Sequence, residues 1–327
     1  MQEIKTTLTE MLGIKYPIIM APMFLVSNEA MLKAAARNGI TGAVPALNYR
    51  TDEAFRAAIK DIKDSVDGPM GVNLIVNKSN VRMEEQLKTC VELKVDYIIT
   101  SLGSPRKVIE ACKPHGIKVF CDVVDITYAK KVEELGADAV IAVNKEAGGH
   151  AGPTPAHELI PELVKACTIP VISAGGVGNG AQLREKLDLG ACGISMGSPF
   201  IATFESAVSE EYKQACVQYG AEDIVMTTKL SGTPCTVIKT PYVEKIGTQQ
   251  NFMERLLNKN KKLKKFVKML TFYKGMKLLE KAAFSSTYKS VWCAGPSIEY
   301  VNEIRSVEDV VKRLIQEYEE ATATKSV

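Results

Sequence analysis

The sequence has few of the residues that build metal, redox and nucleic-acid sites. Among its 327 residues there are only three His and one Trp, and aromatic residues account for 6%. No two of the eight Cys residues have C-x-x-C spacing, so neither a zinc site nor a redox dithiol is expected. A formal net charge of +3 is too small to indicate nucleic-acid binding, and so few aromatic side chains offer little surface on which bases would stack.

Long hydrophobic runs are also absent. No apolar stretch reaches the length that spans a membrane, and the N-terminal segment MQEIKTTLTEML has no apolar signal core. Several Cys residues lie in short apolar runs, where a thiol behaves as a small hydrophobic group, so we expect all eight to be reduced and structural. These are Cys90, Cys112, Cys121, Cys167, Cys192, Cys216, Cys235 and Cys293. The pattern predicts a cytoplasmic protein that binds neither membranes nor nucleic acid.

The sequence is rich in short apolar runs that alternate with amphipathic stretches. Eight runs are strand candidates, at residues 17–23, 41–46, 69–75, 96–102, 118–124, 138–143, 170–176 and 192–198. Nearly continuous apolar runs are typical of parallel strands buried on both faces. Eight such strands separated by helices predict an α/β fold of the (β/α)₈ or TIM-barrel type. A doubly wound sheet is the alternative, but Gly-rich turns follow strands seven and eight rather than strand one.

Helix boundaries are predicted from capping residues. Asn28, Asp52 and Asn179 are candidate N-caps, and Gly39, Gly136 and Gly190 are candidate C-terminal stops.

The alternation breaks between residues 243 and 290. There the run NKNKKLKKFVKML is strongly basic, and Leu263, Phe266, Val267 and Leu270 follow the spacing of one apolar helix face. We therefore predict three parts: a barrel at 1–242, a basic helical insertion and candidate lid at 243–290, and a closing segment with a final barrel helix at 291–327. The lysines are either a solvated face or a docking surface for an acidic partner.

Glycines follow the two strands that commonly bind phosphate in barrel enzymes. Gly175 and Gly176 come after strand seven, and Gly197 and Ser198 come after strand eight. Glycines allow backbone N–H groups to approach an anion, and the N-termini of the following helices would add a positive dipole end. The sequence therefore predicts a phosphate site at this corner.

Other candidate site residues end strands at the same predicted mouth. In EAGGHAG, Gly148 and Gly149 would let the backbone pass flat against a planar ligand and would present His150 as a general acid, base or hydrogen-bond donor. Asn73 ends strand three, where its amide can both donate and accept a hydrogen bond at the edge of such a planar ligand. Ala21, Pro22 and Met23 end strand one. The other two histidines, His115 and His157, are expected to lie at helix ends without a functional role.

Together these segments resemble the nitronate monooxygenase (2-nitropropane dioxygenase-like) family, which shares its barrel with the FMN-dependent enoyl-[acyl carrier protein] reductase II. The matching pieces are PIIMAPM, GVNL, TSLGSP, EAGGHAG, VISAGGVGNG and GISMGSPFIATFES, in that order, over roughly residues 13 to 240. The resemblance implies an FMN-binding barrel in which His150 is the active-site histidine. It also implies that the segment ending in Met23, together with Asn73, Gly149, Gly175, Gly176, Gly197 and Ser198, contacts FMN.

The resemblance implies two alternative activities on a small-molecule substrate. The first is nitronate monooxygenase activity, in which FMN mediates oxidation of a nitronate by O₂ to a carbonyl compound and nitrite. The second is reduction of an enoyl thioester with NADH or NADPH, and the basic insertion favours it because acyl carrier proteins are acidic. Val143, Asn144, Ser198 and Pro199 depart from the usual family pattern, and Asp122 adds an unexpected charge at the end of strand five. The oligomeric state is left open.

Overall fold

The fold is a closed barrel of eight parallel strands surrounded by helices. The structure is a computed structural model that describes residues 2–229, 234–249, 280, 283 and 291–324. The barrel strands follow the chain in order around the ring, and the last pairs with the first through Ile19 and Ser195. The predicted (β/α)₈ barrel is therefore confirmed, and the doubly wound alternative is excluded.

Each of the eight predicted strands is present, although several are shorter than the apolar runs that contain them. The barrel strands are β1 (Ile18–Met20), β2 (Thr41–Pro45), β3 (Met70–Ile75), β4 (Tyr97–Ser101), β5 (Lys118–Val123), β6 (Ala139–Val143), β8 (Val171–Ala174) and β9 (Gly193–Met196). The seventh and eighth barrel strands are thus β8 and β9, because a short strand outside the barrel, β7 (Gly149–His150), precedes them. The glycines and Pro22 at the ends of the predicted runs lie in loops.

Helices occupy the predicted positions between the strands. They are α1 (Thr7–Leu12), α2 (Glu29–Arg37), α3 (Asp52–Ser65), α4 (Met83–Glu92), α5 (Arg106–Cys112), α6 (Ile126–Glu134), α7 (Ala156–Ala166), α8 (Gly180–Asp188), α9 (Glu210–Gln218), α10 (Pro241–Ile246) and α11 (Val307–Thr324). Asn28 and Asn179 cap α2 and α8 as predicted. The prediction for Asp52 was wrong by one residue: the hydroxyl of Thr51 accepts from the N–H of Ala54, and Asp52 is the first helical residue.

Bulky side chains fill the lower half of the barrel. The rings of Tyr97 and Phe120 stack with centroids 5.1 Å apart, and both residues are fully buried. A Cβ on Gly71 would lie 2.2 Å from the Tyr97 ring, so this strand position must be glycine. Leu8 and Leu12 of α1 close the N-terminal end of the barrel by packing against this interior cluster.

A small antiparallel sheet lies outside the barrel, and the sequence did not reveal it. It consists of β7, β10 (Ile224–Thr227) and β11 (Cys235–Ile238), in the order β10-β11-β7. Each of its strands is only two to four residues long, which is too short for a periodic pattern to emerge.

The final helix, α11, packs against α8. The carboxylate of Glu317 accepts a hydrogen bond of 2.8 Å from the N–H of Gly180. The predicted basic amphipathic face at Leu263, Phe266, Val267 and Leu270 lies outside the described residues, as does most of the predicted insertion, so its role as a lid stays a prediction. No helix in the described ranges is both long and apolar enough to cross a membrane.

Candidate active site

The residues predicted to form the site gather at one end of the barrel. Since all eight barrel strands run parallel, the loops after them open at a common mouth. After β1, the hydroxyl of Ser27 accepts from the N–H of Met23 and donates to the carbonyl of Ala21, both at 2.9 Å. This buried serine fixes Ala21, Pro22 and Met23 as a turn at the rim, where all three stay partly exposed.

The loop after β8 has the backbone geometry of an anion site. Gly175 and Gly176 have φ angles of +109° and +72°, which L-residues with a Cβ rarely adopt. No acceptor in the described parts of the chain receives a hydrogen bond from the N–H of Gly176 or Val177. Two consecutive N–H groups that no described residue accepts from suit a phosphate oxygen.

Two N–H groups at the start of α8 already have acceptors within the chain. Asn179 accepts from the N–H of Gln182 at 2.9 Å, and Glu317 accepts from Gly180. The positive end of this helix dipole is therefore already paired with a carboxylate of α11. The contribution of this helix N-terminus to an anion site stays a prediction, and the N–H groups of the loop are the donors that the structure leaves available there.

The loop after β9 is joined to the C-terminal segment. The buried hydroxyl of Ser198 accepts a 2.8 Å hydrogen bond from the N–H of Gly295. A Cβ on Gly148 would lie 2.9 Å from that same nitrogen and 3.0 Å from Ser198 Oγ. Glycine is thus required at position 148 by the chain's own residues, whereas from the sequence a planar ligand was expected to impose the requirement. Contact of Gly148, Gly197 and Ser198 with FMN stays a prediction.

His150 stands on the short strand β7 at the edge of the mouth. Its strand partner is Cys235 of β11, and Gly149 pairs with Thr236. Gly149 has a φ of +75°, and a Cβ added there would meet no atom within 4 Å, so backbone conformation alone requires glycine here. The His150 side chain is exposed, and the protein atoms around it lower its pKa by desolvation. At neutral pH the ring is therefore uncharged and can accept or donate a proton.

Asn144, a departure from the family pattern, clamps two of these loops together. It is fully buried, and its Nδ2 donates to the carbonyl of Gly175 at 3.1 Å. Its Oδ1 accepts from the N–H of Glu146 at 2.9 Å. One amide side chain thereby fixes the start of the loop that carries His150 against the glycines after β8.

A chain of three polar side chains crosses the upper layer of the barrel. Asn73, Ser101 and Asp122 lie on the neighbouring strands β3, β4 and β5. Asn73 Nδ2 donates to Ser101 Oγ at 2.8 Å, and Ser101 Oγ donates to Asp122 Oδ2. Because Ile99 and Phe120 belong to the interior cluster, Ser101 and Asp122, two residues further along, share the inward face.

Asp122 forms no ion pair with any residue in the described ranges. It keeps some accessible surface, but the barrel surrounds it, and this desolvation raises the pKa of the carboxyl to about 6; the Ser101 hydrogen bond opposes the shift. Sequence reasoning recognised Asp122 only as an unexpected charge and did not single out Ser101. The available signal was their shared position at the ends of adjacent strands.

The raised pKa of Asp122 predicts a stabilising substitution. The folded protein binds this proton more tightly than the unfolded chain, whose Asp pKa is near 3.8. The stabilising contribution is therefore complete below pH 4 and is lost as the pH rises through 6. Asp122→Asn cannot ionise, so we expect it to raise the free energy of unfolding at pH 8 by about 1–2 kcal/mol and by much less at pH 5.

Urea unfolding of the parent and the variant at both pH values measures this difference. Asp64→Asn, which removes an exposed carboxylate from α3, is the matched control and should change stability little. An equal effect of Asp122→Asn at pH 5 and pH 8 would show that ionisation of Asp122 is not its cause.

Comparison with known proteins places this barrel among oxidoreductases. The family model described as "Nitronate monooxygenase" matches residues 5–88 and 79–317. A Mycobacterium tuberculosis protein named (3aS,4S,5R,7aS)-5-hydroxy-7a-methyl-1-oxo-octahydro-1H-indene-4-carboxyl-CoA dehydrogenase is 32% identical over 246 residues, which are 74% of this chain and 68% of the relative. A probable nitronate monooxygenase of Staphylococcus saprophyticus is 28% identical over 290 residues, covering 75% of this chain and 81% of the relative.

The solved structure of FabK from Thermotoga maritima superposes with a TM-score of 0.85 at 27% sequence identity, and the match covers 99% of both chains. The family match spans the mouth, the polar chain and most of the C-terminal helix described above. The protein is therefore an oxidoreductase that belongs to the nitronate monooxygenase family.

Proposed function

We propose that the barrel mouth binds FMN and that the protein is a nitronate monooxygenase, which oxidises alkyl nitronates with O₂ to a carbonyl compound and nitrite. The observation that carries the proposal is the loop after β8, where the N–H groups of Gly176 and Val177 lack acceptors within the described chain. FMN has one phosphate, and this loop offers a place for one anion at the corner where barrel enzymes commonly hold it.

The neighbouring residues fit the rest of such a cofactor. Asn73 offers an amide oxygen at the upper layer of the barrel, and the turn at Ala21–Met23 lies at the rim. When bound, FMN supplies the electron exchange between the nitronate and oxygen. The residues named above would hold the phosphate and the ring of the cofactor at the barrel mouth.

His150 is the residue proposed to handle the proton or to bind the substrate. Because its pKa lies below the ordinary 6.5, the ring is neutral at pH 7 and can take a proton from a nitroalkane or donate a hydrogen bond to a nitronate oxygen. The other two histidines are both exposed, His115 in a short 3₁₀ helix and His157 in the first turn of α7.

A second candidate function is the reduction of an acyl thioester with NADH or NADPH. The M. tuberculosis relative is named for a carboxyl-CoA substrate. Three exposed apolar side chains, Val81, Leu102 and Val124, follow the adjacent strands β3, β4 and β5. This rim would suit a substrate with a long apolar part, and the basic run near Lys261 would suit an acidic carrier protein.

FMN binding predicts a specific sensitivity at Gly176. A Cβ there would be held at a φ of +72° and would lie 3.1 Å from the Glu146 Cβ. We expect Gly176→Ala to distort the loop and weaken FMN binding about tenfold or more, since the left-handed conformation costs about 1–2 kcal/mol for an L-residue. The purified parent should be yellow and release FMN, not FAD, on denaturation.

Gly116→Ala is the matched control for Gly176→Ala. Gly116 has nearly the same φ, +71°, with no atom within 4 Å, and it lies before β5 at the opposite end of the barrel. It should lose similar stability while keeping FMN affinity, measured by quenching of FMN fluorescence. A parent protein that cannot be loaded with FMN would overturn the proposed function.

The role of His150 predicts a change in turnover without loss of cofactor. His150→Asn should retain bound FMN and lower turnover about 10²–10⁴-fold, the range for removal of a general acid or base. In the parent, activity should fall only below pH 6.5, where the ring becomes charged, and the variant should lack this acid limb. His157→Asn, on the exposed start of α7, should behave like the parent. Unchanged turnover per bound FMN in His150→Asn would assign the residue a structural role.

The two candidate activities make opposite predictions in the absence of oxygen. If the protein is a nitronate monooxygenase, an alkyl nitronate mixed anaerobically with the holoprotein should change the visible flavin absorbance, and NADH or NADPH should not. Bleaching by NADH or NADPH alone would favour the thioester reductase. Absorbance recorded over single turnovers distinguishes the two without knowledge of the physiological substrate.

A further inference from the structure

The polar chain Asn73–Ser101–Asp122 has a fixed direction. Asn73 Nδ2 lies 3.1 Å from the carbonyl oxygen of Ile99, which can only accept, so this corner of the amide must be the NH₂ group. The second Nδ2 hydrogen points to Ser101 Oγ at 2.8 Å. Both hydrogens of the amide are therefore used within the barrel wall.

The carboxylate of Asp122 determines the direction in which the Ser101 hydroxyl donates its hydrogen. An ionised carboxylate has no hydrogen to donate, so the Ser101 hydroxyl must donate to it and present a lone pair to Asn73. A group at position 122 that could also donate, such as an amide, would leave the direction of the Ser101 hydroxyl undetermined, and its hydrogen could then compete with those of the Asn73 amide. Asp122 thus leaves one arrangement of hydrogen bonds, in which the Ser101 hydroxyl accepts from the Asn73 amide.

The remaining atom of the Asn73 amide is its oxygen. No described residue donates to Asn73 Oδ1, and it is not among the fully buried atoms that lack a partner. The amide oxygen is thus accessible at the upper layer of the barrel and ready to accept a hydrogen bond from a ligand.

We infer that Ser101 and Asp122 are positioning residues that hold the amide of Asn73 with its oxygen toward the ligand, so that the site selects an N–H donor of the flavin ring. The inference rests on the proposed function, because FMN is the ligand. It extends that function by giving a role to Asp122, which the family pattern does not explain.

The surroundings of Asp122 agree with a role in the site. Burial of a carboxylate without a cation costs stability, and the groups that sense its charge, Cys121 and Tyr128, are themselves uncharged thiol and phenol groups with raised pKa values. Nothing in the packing of the barrel requires a charge there, since Ile141 occupies the paired position on β6. A carboxylate with this cost is expected where it orients a binding group.

A double-mutant cycle on FMN affinity tests this inference. The full-length protein is freed of FMN, and the dissociation constant for added FMN is measured by fluorescence quenching. In the parent background, Ser101→Ala and Asp122→Asn should each weaken FMN binding about 3- to 30-fold, as expected for a misoriented hydrogen-bonding group. In the Asn73→Ala background, the same substitutions should change the dissociation constant less than about twofold, because the group that they position is gone.

Matched variants separate positioning from general loss of structure. Ser101→Thr keeps the hydroxyl and should keep FMN affinity within about threefold of the parent. Asp64→Asn, on the exposed face of α3, removes the same charge without a hydrogen bond and should leave affinity unchanged. The melting temperature of each apoprotein identifies a variant that does not fold; if Ser101→Ala fails, Asp122→Asn and Ser101→Thr complete the test.

Two results would overturn the inference while leaving the proposed function intact. One is parent-like FMN affinity of Ser101→Ala and Asp122→Asn. The other is an equal loss of FMN affinity on these two substitutions in the presence and absence of the Asn73 side chain. This result would show that Ser101 and Asp122 act on FMN binding independently of Asn73. A parent protein that binds no FMN at all would instead overturn the proposed function, and the inference with it.

Discussion

Closure of eight parallel strands into one ring is the constraint on which the candidate site depends. Hydrogen bonds between β1 and β9 complete the ring, and the parallel direction then brings every strand's C-terminal end to the same rim. Residues as far apart in sequence as Met23, Asn73 and Ser198 become neighbouring features of one mouth for this reason alone. Packing of Tyr97, Phe120 and α1 fills the other half of the barrel, and the chain of Asn73, Ser101 and Asp122 lies in the upper layer.

The loops of the mouth are held mainly by the chain's own polar groups. Asn144 joins the loop after β6 to the glycines after β8, and Ser198 joins the loop after β9 to Gly295. Arg313 of α11 donates to the carbonyl of Gly178 at 3.1 Å, which adds a contact from the C-terminal helix to the β8 loop. Backbone N–H groups can be left without acceptors among the described residues at Gly176 and Val177 because the rest of this loop is fixed independently.

Stability and site chemistry conflict most clearly at Asp122. A desolvated carboxylate with a raised pKa and no cation among the described residues lowers the stability of the fold at neutral pH. The same carboxylate orders Ser101 and, through it, Asn73. The cost is small compared with the burial of the barrel interior, so the fold can tolerate one such group where a ligand has to be oriented.

Much of this architecture was determined by the sequence itself. Apolar runs with the length of buried strands predicted all eight barrel strands, because burial on both faces leaves a continuous local signal. Gly176 was recognisable as a candidate because it ends one of these apolar runs. His150 was recognisable because it directly follows a pair of glycines. Local spacing also identified the caps Asn28 and Asn179.

Other features were decided only by the tertiary structure, because their partners are distant in sequence. Nothing near Gly148 indicates that Gly295 would fill the adjoining space, and nothing near Asn179 indicates that Glu317 would pair with the start of α8. The relation between Ser101 and Asp122 depends on the register of β4 and β5, which is set when the barrel closes. Sequence thus determined which segments form the barrel and where its mouth lies, whereas the directions of the hydrogen bonds at that mouth required the strands and the final helix to be assembled.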